Sequence, residues 1–117
     1  MAGCSKQKID LSQGQRFLHA LVPDQAACDR IRQNGVIFNC FQEIQFQEDR
    51  RVTVVVTDIQ NLGRYVYRGD KIIIQFEQGF DVPDKMELKV LNENTLVDEN
   101  GFEWKRWEGP GTWDFYE

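Results

Sequence analysis

The chain has 117 residues, 41% of them hydrophobic and 28% charged, with a net charge of −5 and a pI near 4.9. That length suits one domain built around one core, the mixed charges argue against wholesale disorder, and the acidic balance disfavours nucleic acid, whose binding rests on clustered Lys and Arg. Nor does any stretch approach the roughly 20 apolar residues of a membrane helix.

Residues 1–76 carry ten basic and eight acidic side chains, a net of +2, whereas 77–117 carry four and eleven, a net of −7. A solvated acidic surface accounts for the second part, with a basic partner as the alternative.

Residues 1–14 are polar, include Gly3 and Gly14, and read as a flexible tether ahead of a single β-barrel-like domain over 15–117. Within the tether, Ala2-Gly3-Cys4-Ser5 resembles the end of a bacterial lipoprotein signal, where small residues precede a lipid-modified Cys. The resemblance implies lipidation of Cys4 and a periplasmic, membrane-anchored location; the alternative is cytoplasmic. Cys28 and Cys40 are then left as a pair with eleven residues between them. A disulfide across so short a loop stabilises by about 2–3 kcal/mol and needs an oxidising compartment; two buried free thiols are the other reading.

Gln15–Val22 carries Phe17, Leu18, Leu21 and Val22, a spacing that fits a helical turn or two, or a first strand ended by Pro23. Asp24 is a good N-cap and Asn34-Gly35 a good stop for a short helix over Gln25–Gln33, which would turn Cys28 and Ile31 inward.

After Gly35 the period changes to two. Val36, Phe38, Cys40, Ile44 and Phe46, then Val52, Val54 and Val56, then Ile72, Ile74 and Phe76, then Met86, Leu88 and Val90 fall on alternate positions, which places each set on one sheet face. Turn signals separate the runs: Glu48-Asp49-Arg50, Asp58–Gly63, Gly69-Asp70 with Gly supplying positive φ, the longer Gln78–Asp84 with Gly79 and Pro83, Asn92-Glu93-Asn94, and Asn100-Gly101. Short strands at near-even spacing pair with their sequence neighbours, and a twisted meander of that size closes to remove its edges. A small up-and-down barrel or a sandwich follows.

Three stretches carry a resemblance to a known family. They are Phe46-Gln47-Glu48-Asp49-Arg50-Arg51-Val52-Thr53-Val54, Gly63-Arg64-Tyr65-Val66-Tyr67-Arg68-Gly69-Asp70-Lys71-Ile72-Ile73-Ile74, and Leu96-Val97-Asp98-Glu99-Asn100-Gly101-Phe102-Glu103-Trp104-Lys105-Arg106. Over roughly residues 36–107 the pattern resembles the lipocalin-like domain of small bacterial envelope lipoproteins. A Gly-x-Trp first strand, typical of true lipocalins, is absent. The resemblance implies a mainly β fold, an antiparallel lipocalin-like barrel of seven to eight strands with a short N-terminal helix. It further implies a non-enzymatic binding or interaction module of the bacterial envelope, taking a small apolar or amphipathic ligand or an envelope protein at the barrel mouth or at the aromatic C-terminal surface; the alternative is a cytosolic structural or assembly protein.

No catalytic motif stands out. His19 is the sole histidine and lacks a nucleophile elbow near it; it reads as a core or surface residue. One His and spaced cysteines do not supply four zinc ligands, no cofactor fingerprint is present, and Glu48/Asp49 and Asp98/Glu99 suit tight turns rather than a glycosidase cleft. Arg68-Gly69-Asp70 spells an adhesive tripeptide, but the hairpin geometry already explains it. Aromatic anchors are the remaining candidates: Tyr65 and Tyr67 on one strand, with Trp104, Trp107 and Trp113 near the end, the last beside Phe115 and Tyr116.

Overall fold

The computed structural model describes residues 11, 14–33, 35, 40–57, 59–78 and 82–108, so Cys4 and Trp113 lie outside the described residues. Eight strands, β1 (Arg16–Ala20), β2 (Phe41–Phe46), β3 (Arg51–Val55), β4 (Gln60–Arg68), β5 (Lys71–Gln78), β6 (Lys85–Asn92), β7 (Thr95–Asp98) and β8 (Glu103–Arg106), pair antiparallel in chain order and close into a barrel. Among the described residues one α-helix, α1 (Gln25–Arg32), lies between β1 and β2. The architecture is thus a barrel and not a sandwich, consistent with a small lipocalin-like barrel.

Gln15–Val22 holds a strand rather than a helical turn. Its residues Arg16–Ala20 pair along β2, and Phe17 and Leu18 also pair with Arg106 and Lys105 of β8, which closes the ring. Phe17 points inward and Leu18 outward, yet both are buried, because α1 covers the outer surface at Leu18. Burial on both faces removes the period-two pattern that marks the other strands.

Inside, Phe17, Ile44, Phe46, Val52, Val54, Tyr65, Ile72, Ile74, Leu88, Val90, Leu96 and Trp104 pack into one cluster. Gly63 leaves room for the β4–β5 pairing at a register shift: a Cβ there would sit 2.6 Å from the Gln75 carbonyl oxygen. The hairpin at Gly69-Asp70 has the expected positive φ, 60° at Gly69. Leu11, assigned by its polar surroundings to the tether, is 3% exposed and belongs to the interior cluster, so the core reaches into the segment before residue 15.

Outside, Leu18, Cys28, Cys40 and Phe41 form a second buried cluster, with Trp107 packed against it. Asp24 caps α1, its side chain accepting a hydrogen bond from the Ala27 N–H at 2.8 Å. Cys28 and Cys40 are joined in a disulfide, with Cα atoms 6.0 Å apart. Two sequence expectations change here. Cys40 faces α1 rather than the interior, because the regular pleat starts only at Phe41. Ile31 is 38% exposed, because the eight-residue helix turns only Cys28 fully inward.

The up-and-down order sorts the connections to two ends. The β3–β4, β5–β6 and β7–β8 loops gather at one end, called the mouth, together with the segment carrying α1. The β2–β3, β4–β5 and β6–β7 turns gather at the other end, the base, where β1 begins and β8 stops. Among the described residues no helix is long and apolar enough to cross a membrane.

Candidate functional site

The described aromatic residues singled out from the sequence, Tyr65, Tyr67, Trp104 and Trp107, do not converge on one surface. Tyr65 is 7% exposed and meets Phe46 edge-on, their ring centroids 5.1 Å apart. Tyr67 shares its inward face, half-buried against the same core, near the β4–β5 turn at the base. Trp104 is 1% exposed inside the barrel, whereas Trp107 packs with the outer cluster beside the disulfide. The two Trp therefore stand on opposite sides of the wall. Burial turns the Trp104 ring into core and leaves it no open face for a partner.

At the mouth, the last inward positions of successive strands form a concavity of about 460 Å³, within the roughly 300–1,000 Å³ range of small-molecule sites. Val56, Met86, Val82, Pro83 and Phe102 give it an apolar wall, and Gln42, Lys85, Asp98, Glu99 and Asn100 a polar rim. Val56 and Met86 pack directly onto the interior cluster, so the floor of the concavity is the top of the core. Phe102, at 52% exposure, is the most accessible large apolar side chain among those described.

Hydrogen bonds fix this rim from below. Asp98 Oδ1 accepts from the backbone N–H groups of Asn100 at 2.9 Å and Phe102 at 3.0 Å, which shapes the β7–β8 turn. Asp98 Oδ2 accepts from the Trp104 indole N–H at 3.0 Å. His19 lies against both neighbouring rings, with centroids 4.9 Å from Phe102 and 5.4 Å from Trp104. Its Nδ1 is 3.1 Å from the Glu103 carbonyl oxygen; that contact makes Nδ1 the protonated nitrogen, because a carbonyl only accepts. Glu99 Oε1 accepts from the Glu87 N–H at 3.0 Å, tying the β7–β8 turn to β6.

No family model matches the chain, and neither a curated protein nor a solved structure matches it.

Reasoning from sequence passed over His19, Gln42, Val56, Met86, Asp98 and Phe102 as site residues. One signal pointed to Asp98: it stands two residues after the inward Leu96, so strand parity turns it inward. Among the described residues no group of three or more His, Cys, Asp or Glu is placed to hold a metal ion. What the mouth offers chemically is an apolar wall with neutral and charged hydrogen-bonding groups above it.

Proposed function

We propose that this protein is a non-enzymatic binding module of the bacterial cell envelope that takes a small apolar or amphipathic ligand at the barrel mouth. The observation that carries the reading is the concavity of about 460 Å³ with an apolar wall and a polar rim, the usual make-up of a small-molecule pocket. The disulfide between Cys28 and Cys40 supports an oxidising compartment, as expected of a periplasmic protein tethered through Cys4.

Titration with 1-anilinonaphthalene-8-sulfonate, an amphipathic fluorescent probe, tests the mouth. Saturable binding at one site, abolished by Met86→Glu and weakened by Phe102→Ala, is the expected result. Absence of saturable binding, or binding indifferent to both substitutions, overturns the reading.

A further inference from the structure

Three successive strand pairs set like charges directly opposite one another on the outer surface. Arg51 faces Arg64 across β3–β4, Arg68 faces Lys71 across β4–β5, and Lys71 faces Lys89 across β5–β6. All five are exposed. Glu77 pairs with Arg64 at 3.0 Å and Glu87 with Lys71 at 3.3 Å, while Arg51, Arg68 and Lys89 form no ion pair among the described residues. Like charges directly opposite on a sheet destabilise it, so local stability does not explain the band. It lies in the half of the barrel nearest the base.

The mouth half has the opposite sign, with Asp84, Asp98, Glu99 and Glu103 around it. The base also carries Glu48, Asp49, Asp70, Glu93 and Glu108, which leaves that half with nine basic and five acidic side chains among the described residues, against three basic and nine acidic in the mouth half. A net charge of −5 therefore conceals a separation of charge along the barrel axis. The longest strands, β4, β5 and β6 with eight or nine residues, at ~3.3 Å per residue and tilted by ~40°, span about 20 Å between the two ends. That exceeds the ~8 Å Debye length at physiological ionic strength, so the acidic mouth does not cancel the field of the base.

The chain also leaves the barrel at the base. The Gln15 carbonyl accepts a hydrogen bond from the Phe46 N–H at 2.8 Å just before β1, and Leu11, four residues earlier, belongs to the interior cluster. Cys4 stands seven residues before Leu11, a reach of at most ~24 Å. An anchor at Cys4 would therefore lead from the base of the barrel to a bilayer.

We propose that the basic base of the barrel is a docking face for an anionic phospholipid surface, so that the mouth opens away from the membrane. The inference rests in part on the reading of Cys4 as a lipid site, but the charge band makes its own prediction. Each basic residue close to an anionic bilayer raises partitioning about fivefold.

The test is co-sedimentation of the unlipidated chain with phosphatidylcholine vesicles, with and without phosphatidylglycerol, beside the triple variant Arg51→Gln/Arg68→Gln/Lys89→Gln. These exposed sites relieve like-charge pairs, and a thermal melt confirms that the variant stays folded. Binding only to the anionic vesicles, lost as salt is raised and reduced about 100-fold in the variant, is the expected result. No binding, equal binding to neutral vesicles, or no change in the variant overturns the proposal. So does preference for a single-stranded oligonucleotide over anionic vesicles at equal phosphate concentration. Intact mass of protein from its native host separates the two readings. Charge-dependent binding with an unmodified Cys4 leaves the docking face standing and removes the anchor; a lipid on Cys4 without charge-dependent binding does the reverse.

Discussion

Asp98 holds the indole N–H of Trp104 at 3.0 Å with one carboxylate oxygen while the other shapes the turn that leads into the Trp104 strand. One side chain thus satisfies the polar atom of the largest buried ring and fixes the backbone that delivers it. Asp98→Ala is expected to cost about 2–4 kcal/mol, combining lost turn bonds with an indole donor left unpaired. Asp98→Asn, which keeps an oxygen for the turn, should cost less. Urea unfolding followed by tryptophan fluorescence measures both.

The disulfide closes a loop with a sequence separation of 12, for which the chain-entropy relation gives about 3 kcal/mol. The Cys28→Ser/Cys40→Ser variant is therefore expected to melt about 10 °C lower than the parent, and the parent should fall by a similar amount once unfolded and scanned in reductant. A variant that melts with the parent would show that packing of Leu18 and Phe41 alone holds α1 in place.

Gly63 is required by space and not by a left-handed backbone. A methyl group there meets the Gln75 carbonyl oxygen at 2.6 Å and the Phe76 Cα at 3.2 Å, both backbone atoms of the neighbouring strand. Gly63→Ala is expected to destabilise by about 1–3 kcal/mol, the usual cost of overpacking. Amide exchange should rise first at Gln75 and Phe76.

Phe102 supplies apolar wall to the mouth while remaining largely exposed. Phe102→Ala should leave unfolding free energy within about 0.5 kcal/mol of the parent and weaken the fluorescent probe about tenfold. Loss of stability without loss of probe binding would assign Phe102 to the packing of His19 rather than to the ligand wall.

The meander was legible because Val52, Val54 and Val56, or Ile72, Ile74 and Phe76, bury one face only, and period two survives in the sequence. It was illegible at Phe17 and Leu18, where the barrel interior takes one neighbour and α1 the other. Hairpin turns were legible for a related reason: Gly69 and Gly101 adopt φ of 60° and 86°, a choice encoded within a few residues. The mouth is different in kind. His19 reaches Glu103 across a sequence separation of 84, and only closure of β1 onto β8 brings them together. Tyr65 and Trp104 stand out as aromatics in the sequence, yet ring closure turns both inward, where they pack the core.

The strand pair that closes the barrel, Phe17 opposite Arg106, joins the first and last strands of the chain. Covalent order is therefore nearly redundant with spatial order around the ring. A linker from Glu108 back to Leu11, which keeps that core residue, with new termini cut between Gly69 and Asp70, would trace the same circuit from a different starting point, because the cut falls in an exposed two-residue turn. Such a circular permutant would keep all eight pairings while placing its ends beside the basic band.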